Sequence, residues 1–224
     1  MATIKRLVKA YKDYFTKGET GDAALLESEL YGWGANPTLV AQLQAIAGYY
    51  PKIDLEQLSQ LPQGTLGYEY AQHMKKNKIQ PLEISEDLRS EAERHPFALR
   101  YTITHDIFHI LLGFDTSYVG EMGVFGFTVG QNYSKALNLV YPLIKLIFSI
   151  IKPRQTQAIL ASARRGKEFG QQASCLLVYR FEENWERPIA DIRAELGLVL
   201  ADEQLDREPD RAIAKVLSQE SVVA

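Results

Sequence analysis

Apolar side chains recur every three or four residues along most of this chain, and strict alternation is scarce, so the pattern predicts helices. Leu7, Val8, Tyr11, Tyr14 and Phe15 give the basic, amphipathic start such a spacing. Asn36-Pro37 reads as a helix entry, with Asn as cap and Pro in the first turn. His95-Pro96 opens "FALRYTITHDIFHILLG" the same way, and Gly113 is its expected stop. "ERPIADIRAELG" puts Ile189, Ile192 and Leu196 on one face between Pro188 and Gly197. Turn signals fall at "KGETGD", "GWGANP", "YYPKID" and "LPQGTLG". Only "CLLVYRF" could pass for a short strand.

One helix is oilier than a single core requires. In "SKALNLVYPLIKLIFSIIK" (134 to 152), Asn138, Lys145, Ser149 and Lys152 share a stripe only ~60° wide, and Leu, Ile, Val and Phe fill most of the rest. From Ala136 to Ile151 it measures ~24 Å, too short to span a bilayer, and Pro142 is a candidate kink. Its surplus apolar surface suits a second copy of the chain, a membrane surface or a long hydrocarbon ligand, beside the plain alternative of a buried core helix. Lys152, Arg154, Arg164, Arg165 and Lys167 follow, a basic group that suits lipid headgroups or simply a solvated face.

The fold expected is mainly α, a single-domain multi-helix bundle with little or no β structure. It covers residues 1–200, and a polar tail occupies 201–224. The 224 residues are 46% hydrophobic and 24% charged, ample for one sizeable core. A net charge of −3 supplies no basic field for nucleic acid. The single cysteine, Cys175, excludes an internal disulfide and reads as inert packing.

The chemistry concentrates in "HDIFHILLGFDTSYVGE" (105 to 121). On a helix over 97–112, His105 and His109 lie about 40° apart and one turn along, so both imidazoles leave one face. Asp106 sits at the edge of that face, with Tyr101, Phe108 and Leu112 flanking. Gly113 ends the helix, Thr116 or Ser117 caps the next, and Glu121 falls in its first turn. Two imidazoles and one or two carboxylates suit zinc, and also iron or manganese. By spacing alone, a chance pair of histidines with a hydrogen-bonded Asp remains an equal alternative. His73 and His95 read as surface or capping residues, Trp33 and Trp185 as core or interface anchors.

The run His-Asp-x-x-His, eleven residues, then Glu resembles the signature of the ubiquinone (coenzyme Q) biosynthesis family known as COQ four. "GTLGYEYAQHM" (64 to 74) is similar to that family's Gly-x-Leu-Gly segment. "LLVYRFEENWERPIADIRAELG" is similar to its C-terminal block, with Tyr179, Glu182, Trp185, Glu186, Pro188 and Arg193 in register, although Arg180-Phe181 stands where a more apolar aromatic pair is expected. The resemblance runs from about residue 20 to 198. It implies a mostly helical, zinc-binding, membrane-associated protein of quinone biosynthesis, with His105, Asp106, His109 and Glu121 as ligands and Tyr70 near the head group. It also implies oxidative decarboxylation at ring carbon 1 of a polyprenylated hydroxybenzoate, or alternatively a scaffold that binds a prenylated lipid and organises quinone-biosynthesis enzymes. A phosphohydrolase using His73 and His105-Asp106 leaves His109 and Glu121 without work. With no obvious mitochondrial presequence, the expected setting is the cytoplasmic face of a membrane, as a homo-oligomer.

Overall fold

The computed structural model describes residues 21–32 and 34–198. The expected first helix, Trp33 and the polar tail lie outside them. The described residues form ten α-helices, in order: α1 (Gly21–Tyr31), α2 (Pro37–Gln44), α3 (Leu55–Ser59), α4 (Leu66–Asn77), α5 (Glu86–Arg94), α6 (Pro96–Leu112), α7 (Tyr118–Gly130), α8 (Lys135–Ile151), α9 (Thr156–Gln172) and α10 (Ile189–Leu196). The described residues contain no strand, only two isolated bridges, Ala35 with Ser134 and Thr65 with Pro188. The chain is therefore mainly α, as its periodicity requires.

Helix α6 is the axis. It is buried on nearly every side, from Phe97 and Ala98 to Leu111 and Leu112, so it has no apolar stripe to read. Helices α1, α2, α4, α5 and α7 all lean on it. Its C-terminus is closed by Gly113 in the left-handed region (φ 68°) and by Arg193 of α10, whose guanidinium donates to the carbonyls of Leu111 and Ile110 at 2.9 Å each.

The tightest pair is α7 against α9, which cross where both have glycines. A Cβ at Gly166 would collide with the Gly123 carbonyl, one at Gly170 with that of Phe127, and one at Gly126 with that of Ala163. The backbones touch because nothing larger than hydrogen stands between them. This crossing fixes α7, and with it Glu121. The glycine spacing in "YVGEMGVFGFTVG" and "ARRGKEFGQQ" is the signal for it.

"CLLVYRF" is not a strand. It is a turn-rich segment ending in a 3-10 turn at Phe181–Glu183. Its buried carbonyls are served by a side chain rather than a ladder: Arg100 of α6 donates to Leu177 O (3.2 Å) and Tyr179 O (2.7 Å), and pairs with Glu182 at 2.7 Å.

Helix α8 turns its oily side outward. Leu139 is 71% exposed, Ile150 68%, and Leu143 and Leu146 more than half, while Lys145 leans over the ring of Tyr141 and Lys152 over that of Tyr118. Two lysines of the polar stripe thus lie over the protein's own tyrosines, and the apolar face stands open. The helix runs through Pro142, which is exposed, and α9 folds back from it by 115°. No single helix among the described residues is long and apolar enough to cross a membrane.

Candidate metal centre

Local sequence places the three groups that converge. Pro96 starts α6 and four-residue spacing puts His105 and His109 on one face, with ring centroids 4.9 Å apart. Gly113 then reverses the chain so that the Phe114 amide donates to His109 O at 3.1 Å, and the Phe114 carbonyl comes within 3.2 Å of His109 Nδ1. A carbonyl only accepts, so Nδ1 carries a proton and Nε2 presents its lone pair in the neutral ring. Ser117 caps α7 by accepting from the Gly120 amide, which sets Glu121 in the first turn.

Glu121 reaches back across both imidazoles. Its Oε1 lies 3.4 Å from His109 Nε2 and its Oε2 3.5 Å from His105 Nε2. His109 Nε2 is sealed from solvent and has no hydrogen-bond partner. A buried lone pair facing a carboxylate oxygen demands a proton or a cation between them. His105, His109 and Glu121 together offer one ligand atom each, all mutually within 4.8 Å. That donor set fits a divalent cation with positions left for a ligand.

Asp106 lies on the other side of His105, with Oδ1 3.9 Å from Nδ1, away from the nitrogen that faces Glu121. At that distance its charge acts on the His105 ring through space rather than through a hydrogen bond. Charge follows this arrangement. Burial disfavours the His105 imidazolium, yet the Asp106 and Glu121 carboxylates overcome it and raise the group to about 10. Burial would raise the Glu121 carboxyl, but the two imidazoles beside it hold it well below the carboxylate range.

The flanking residues divide. Phe108 is core, edge-on to Phe127 at 5.8 Å, and Leu112 is fully buried. Tyr101 stacks on Phe97 at 5.8 Å. Tyr70 is buried against Trp185, with ring centroids 5.2 Å apart. Burial pushes its hydroxyl far above the ordinary phenol range, with Asp106 and Glu182 adding to the effect. Tyr70 also lines a cavity of about 200 Å³ with Tyr50, Ile53, Leu82, Ile84 and Ile103. His105, His109 and Glu121 are not among the residues lining that cavity.

His73 is the residue that spacing hides. It sits on α4, 32 positions before His105, yet its ring stacks on His109 with centroids 5.8 Å apart and planes 23° from parallel. Burial disfavours its imidazolium and lowers its pKa below the usual imidazole value, and the Asp106 carboxylate opposes that. Helix α4 is held in place by the C-terminal block: Leu66 N donates to Arg187 O and Gly67 N to Trp185 O, both at 2.9 Å. His95, by contrast, joins α5 to α6 with no side-chain cap bond, and burial raises the Cys175 thiol, consistent with inert packing.

Comparisons with known proteins give the family. The family described as Coenzyme Q (ubiquinone) biosynthesis protein Coq4 matches residues 50–202, a span that holds the whole site. Ubiquinone biosynthesis protein COQ4 homologs, mitochondrial, from Rattus norvegicus and Danio rerio are each 31% identical to the chain over 150 and 148 residues, 65% of its length in both cases. The Homo sapiens homolog is 29% identical over 150 residues. The aligned part spans about half the length of these relatives, 55% of the rat and 54% of the zebrafish protein. A crystal structure of a putative ubiquinone biosynthesis protein from Nostoc punctiforme PCC 73102 shares the fold, with a TM-score of 0.60 over 89% of this chain and 96% of that one, at 22% identity. With the family's match covering most of the sequence, the chain belongs to the Coq4 family of coenzyme Q (ubiquinone) biosynthesis proteins.

Proposed function

We propose that this chain works in ubiquinone biosynthesis as a metal-dependent oxidative decarboxylase acting at ring carbon 1 of a polyprenylated hydroxybenzoate, with O₂ as the oxidant. The electron-rich ring reduces O₂ and ends as a quinone, the carboxyl leaves as CO₂, and one oxygen atom ends on carbon 1 and the other in water. One observation carries the reading: the buried Nε2 of His109, without a hydrogen bond, faces Glu121 at 3.4 Å beside Nε2 of His105. His105, His109 and Glu121 would hold the cation. Zinc or iron bound there supplies a Lewis acid for the carboxylate or phenolic oxygen of the head group.

The chain's own residues do the rest. The Asp106 carboxylate acts on the charge of His105 from its Nδ1 side. The Phe114 carbonyl holds His109 in the tautomer that leaves Nε2 free. Each CH₂ of a prenyl tail that leaves water contributes about 0.8 kcal/mol, so the tail supplies most of the binding and the head group needs only orientation. The test is release of labelled CO₂ from a carboxyl-labelled prenylated hydroxybenzoate under air. Metal-loaded wild type should release it, and His109→Ala should be slower by more than roughly a hundredfold. No release from the wild type, or an unchanged rate in His109→Ala, contradicts the catalytic reading.

The open face of α8 supports peripheral membrane contact as the route to such a lipid. Leu139, Leu143, Leu146 and Ile150 form an apolar strip, with Lys152 and Arg154 at its end. The same face favours the second reading, a prenyl-lipid-binding scaffold for quinone-biosynthesis enzymes, whose lipid binding would survive loss of the metal ligands. Leu143→Glu/Ile150→Glu should cut co-sedimentation with phosphatidylcholine/phosphatidylglycerol vesicles by at least roughly tenfold while melting like the wild type. Unchanged sedimentation in that variant removes the membrane role. If the variant instead falls from dimer to monomer, the face joins two copies of the chain.

A further inference from the structure

Behind His109, three side chains, two on α4 and one in the turn before α7, form a relay whose end nothing accepts. Asn77, at the last turn of α4, donates through Nδ2 to the His73 carbonyl at 2.9 Å, and the same amide nitrogen lies 3.4 Å from His73 Nδ1. Thr116, in the turn before α7, donates to Asn77 Oδ1 at 3.0 Å. The two bonds fix the amide's orientation, because a carbonyl needs a donor and the NH₂ is the only donor Asn has. Facing that NH₂, His73 Nδ1 must accept, so the ring proton sits on Nε2. That atom is sealed from solvent and has no partner.

A buried N–H without an acceptor is costly, and one stacked beside a candidate ligand imidazole is placed for something that arrives. We propose that His73 Nε2–H is the hydrogen-bond donor for an anionic oxygen of the bound head group, with Asn77 and Thr116 locking the tautomer. The proposal rests on the metal reading above and adds a group outside the signature motif. His73 is a donor here and not another ligand, since a protonated nitrogen has no lone pair to give. The oxygen's source is a carboxylate or a phenolate, and benzoate and phenol separate the two.

The test uses the full chain loaded with Co²⁺, whose visible absorption reports on what enters its coordination sphere. Titration with 4-hydroxybenzoate, benzoate and phenol gives dissociation constants beside the cobalt content. His73→Phe keeps a ring but no donor. It should hold cobalt like the wild type and bind 4-hydroxybenzoate roughly ten- to a hundredfold more weakly. His73→Gln, which restores a donor, should recover most of that loss. Asn77→Asp accepts from Nδ1 and moves the proton off Nε2, so it should weaken the anion as His73→Phe does. It also leaves the half-buried ring in place, and so tests the donor should His73→Phe fail to fold.

Failures are separable. A wild type that takes up no cobalt overturns the metal reading and this proposal with it. Cobalt uptake without binding of any of the three probes overturns the proposal alone. So does an equal dissociation constant in His73→Phe or in Asn77→Asp, and so does loss of cobalt from His73→Phe, which would make His73 a ligand.

Discussion

Arg100→Met should lower the melting temperature by about 10 °C or more, a loss of about 3–5 kcal/mol. The guanidinium is wholly buried, its Glu182 partner is 3% exposed, and it also serves the carbonyls of Leu177 and Tyr179. Removing it strands a carboxylate and two carbonyls out of water, and one Glu182 oxygen already has no partner. Since whole domains are stable by only about 5–15 kcal/mol, the change consumes a large share. The cause is the orphaned charge rather than the lost attraction, so Arg100→Met/Glu182→Leu should melt above Arg100→Met alone. Thermal unfolding followed by circular dichroism decides it. A single variant within about 2 °C of the wild type would show that the pair does not hold α6 to the C-terminal block.

That arginine also marks where sequence reading stops. Helix ends announce themselves locally. Asn36 caps α2 with a bond to Thr38 N, Gly113 and Gly197 sit in the left-handed region, and Ser117 caps α7, all through residues within a few positions of one another. His105, His109 and Glu121 are legible for the same reason, one helix, one reversal and one first turn apart. Arg100, mid-helix, gives no local signal of its role, because its acceptors lie 77 to 82 residues away. "CLLVYRF" has the composition of a strand, but no neighbouring strand exists among the described residues, and a side chain serves its carbonyls. His73 joins the site only because α4 is pinned by the C-terminal block. On a wheel Phe108 and Leu112 flank the histidines, but α6 is enclosed nearly all round, so a flanking position is a core position. The excess of apolar residues in α8 was readable, whereas the outward turn of its oily face required the structure.

The second large effect is on metal uptake, and it depends on pH. Without metal, Asp106 and Glu121 keep His105 protonated to about 10, against about 6.5 for a free imidazole. A cation takes the neutral ring, so binding expels that proton. Below about 10, each unit of rising pH should strengthen apparent affinity about tenfold, with Glu121 ionised throughout. The sign for the metal-free protein is opposite. A raised imidazole stabilises the fold fully below about 6.5, and that contribution fades as pH climbs through 10. Competition with a chelator at several values between 6 and 8 measures the slope. A flat profile would mean that no proton leaves and that His105 is not a ligand.

The most direct measurement is anomalous diffraction from crystals of the full chain at the absorption edge of whichever metal elemental analysis finds. One peak per chain is expected at the meeting point of His105 Nε2, His109 Nε2 and the Glu121 carboxylate, and it should vanish in His109→Ala. A wild type that carries no metal after growth and purification with zinc and iron present, or a peak away from those three side chains, would contradict the account.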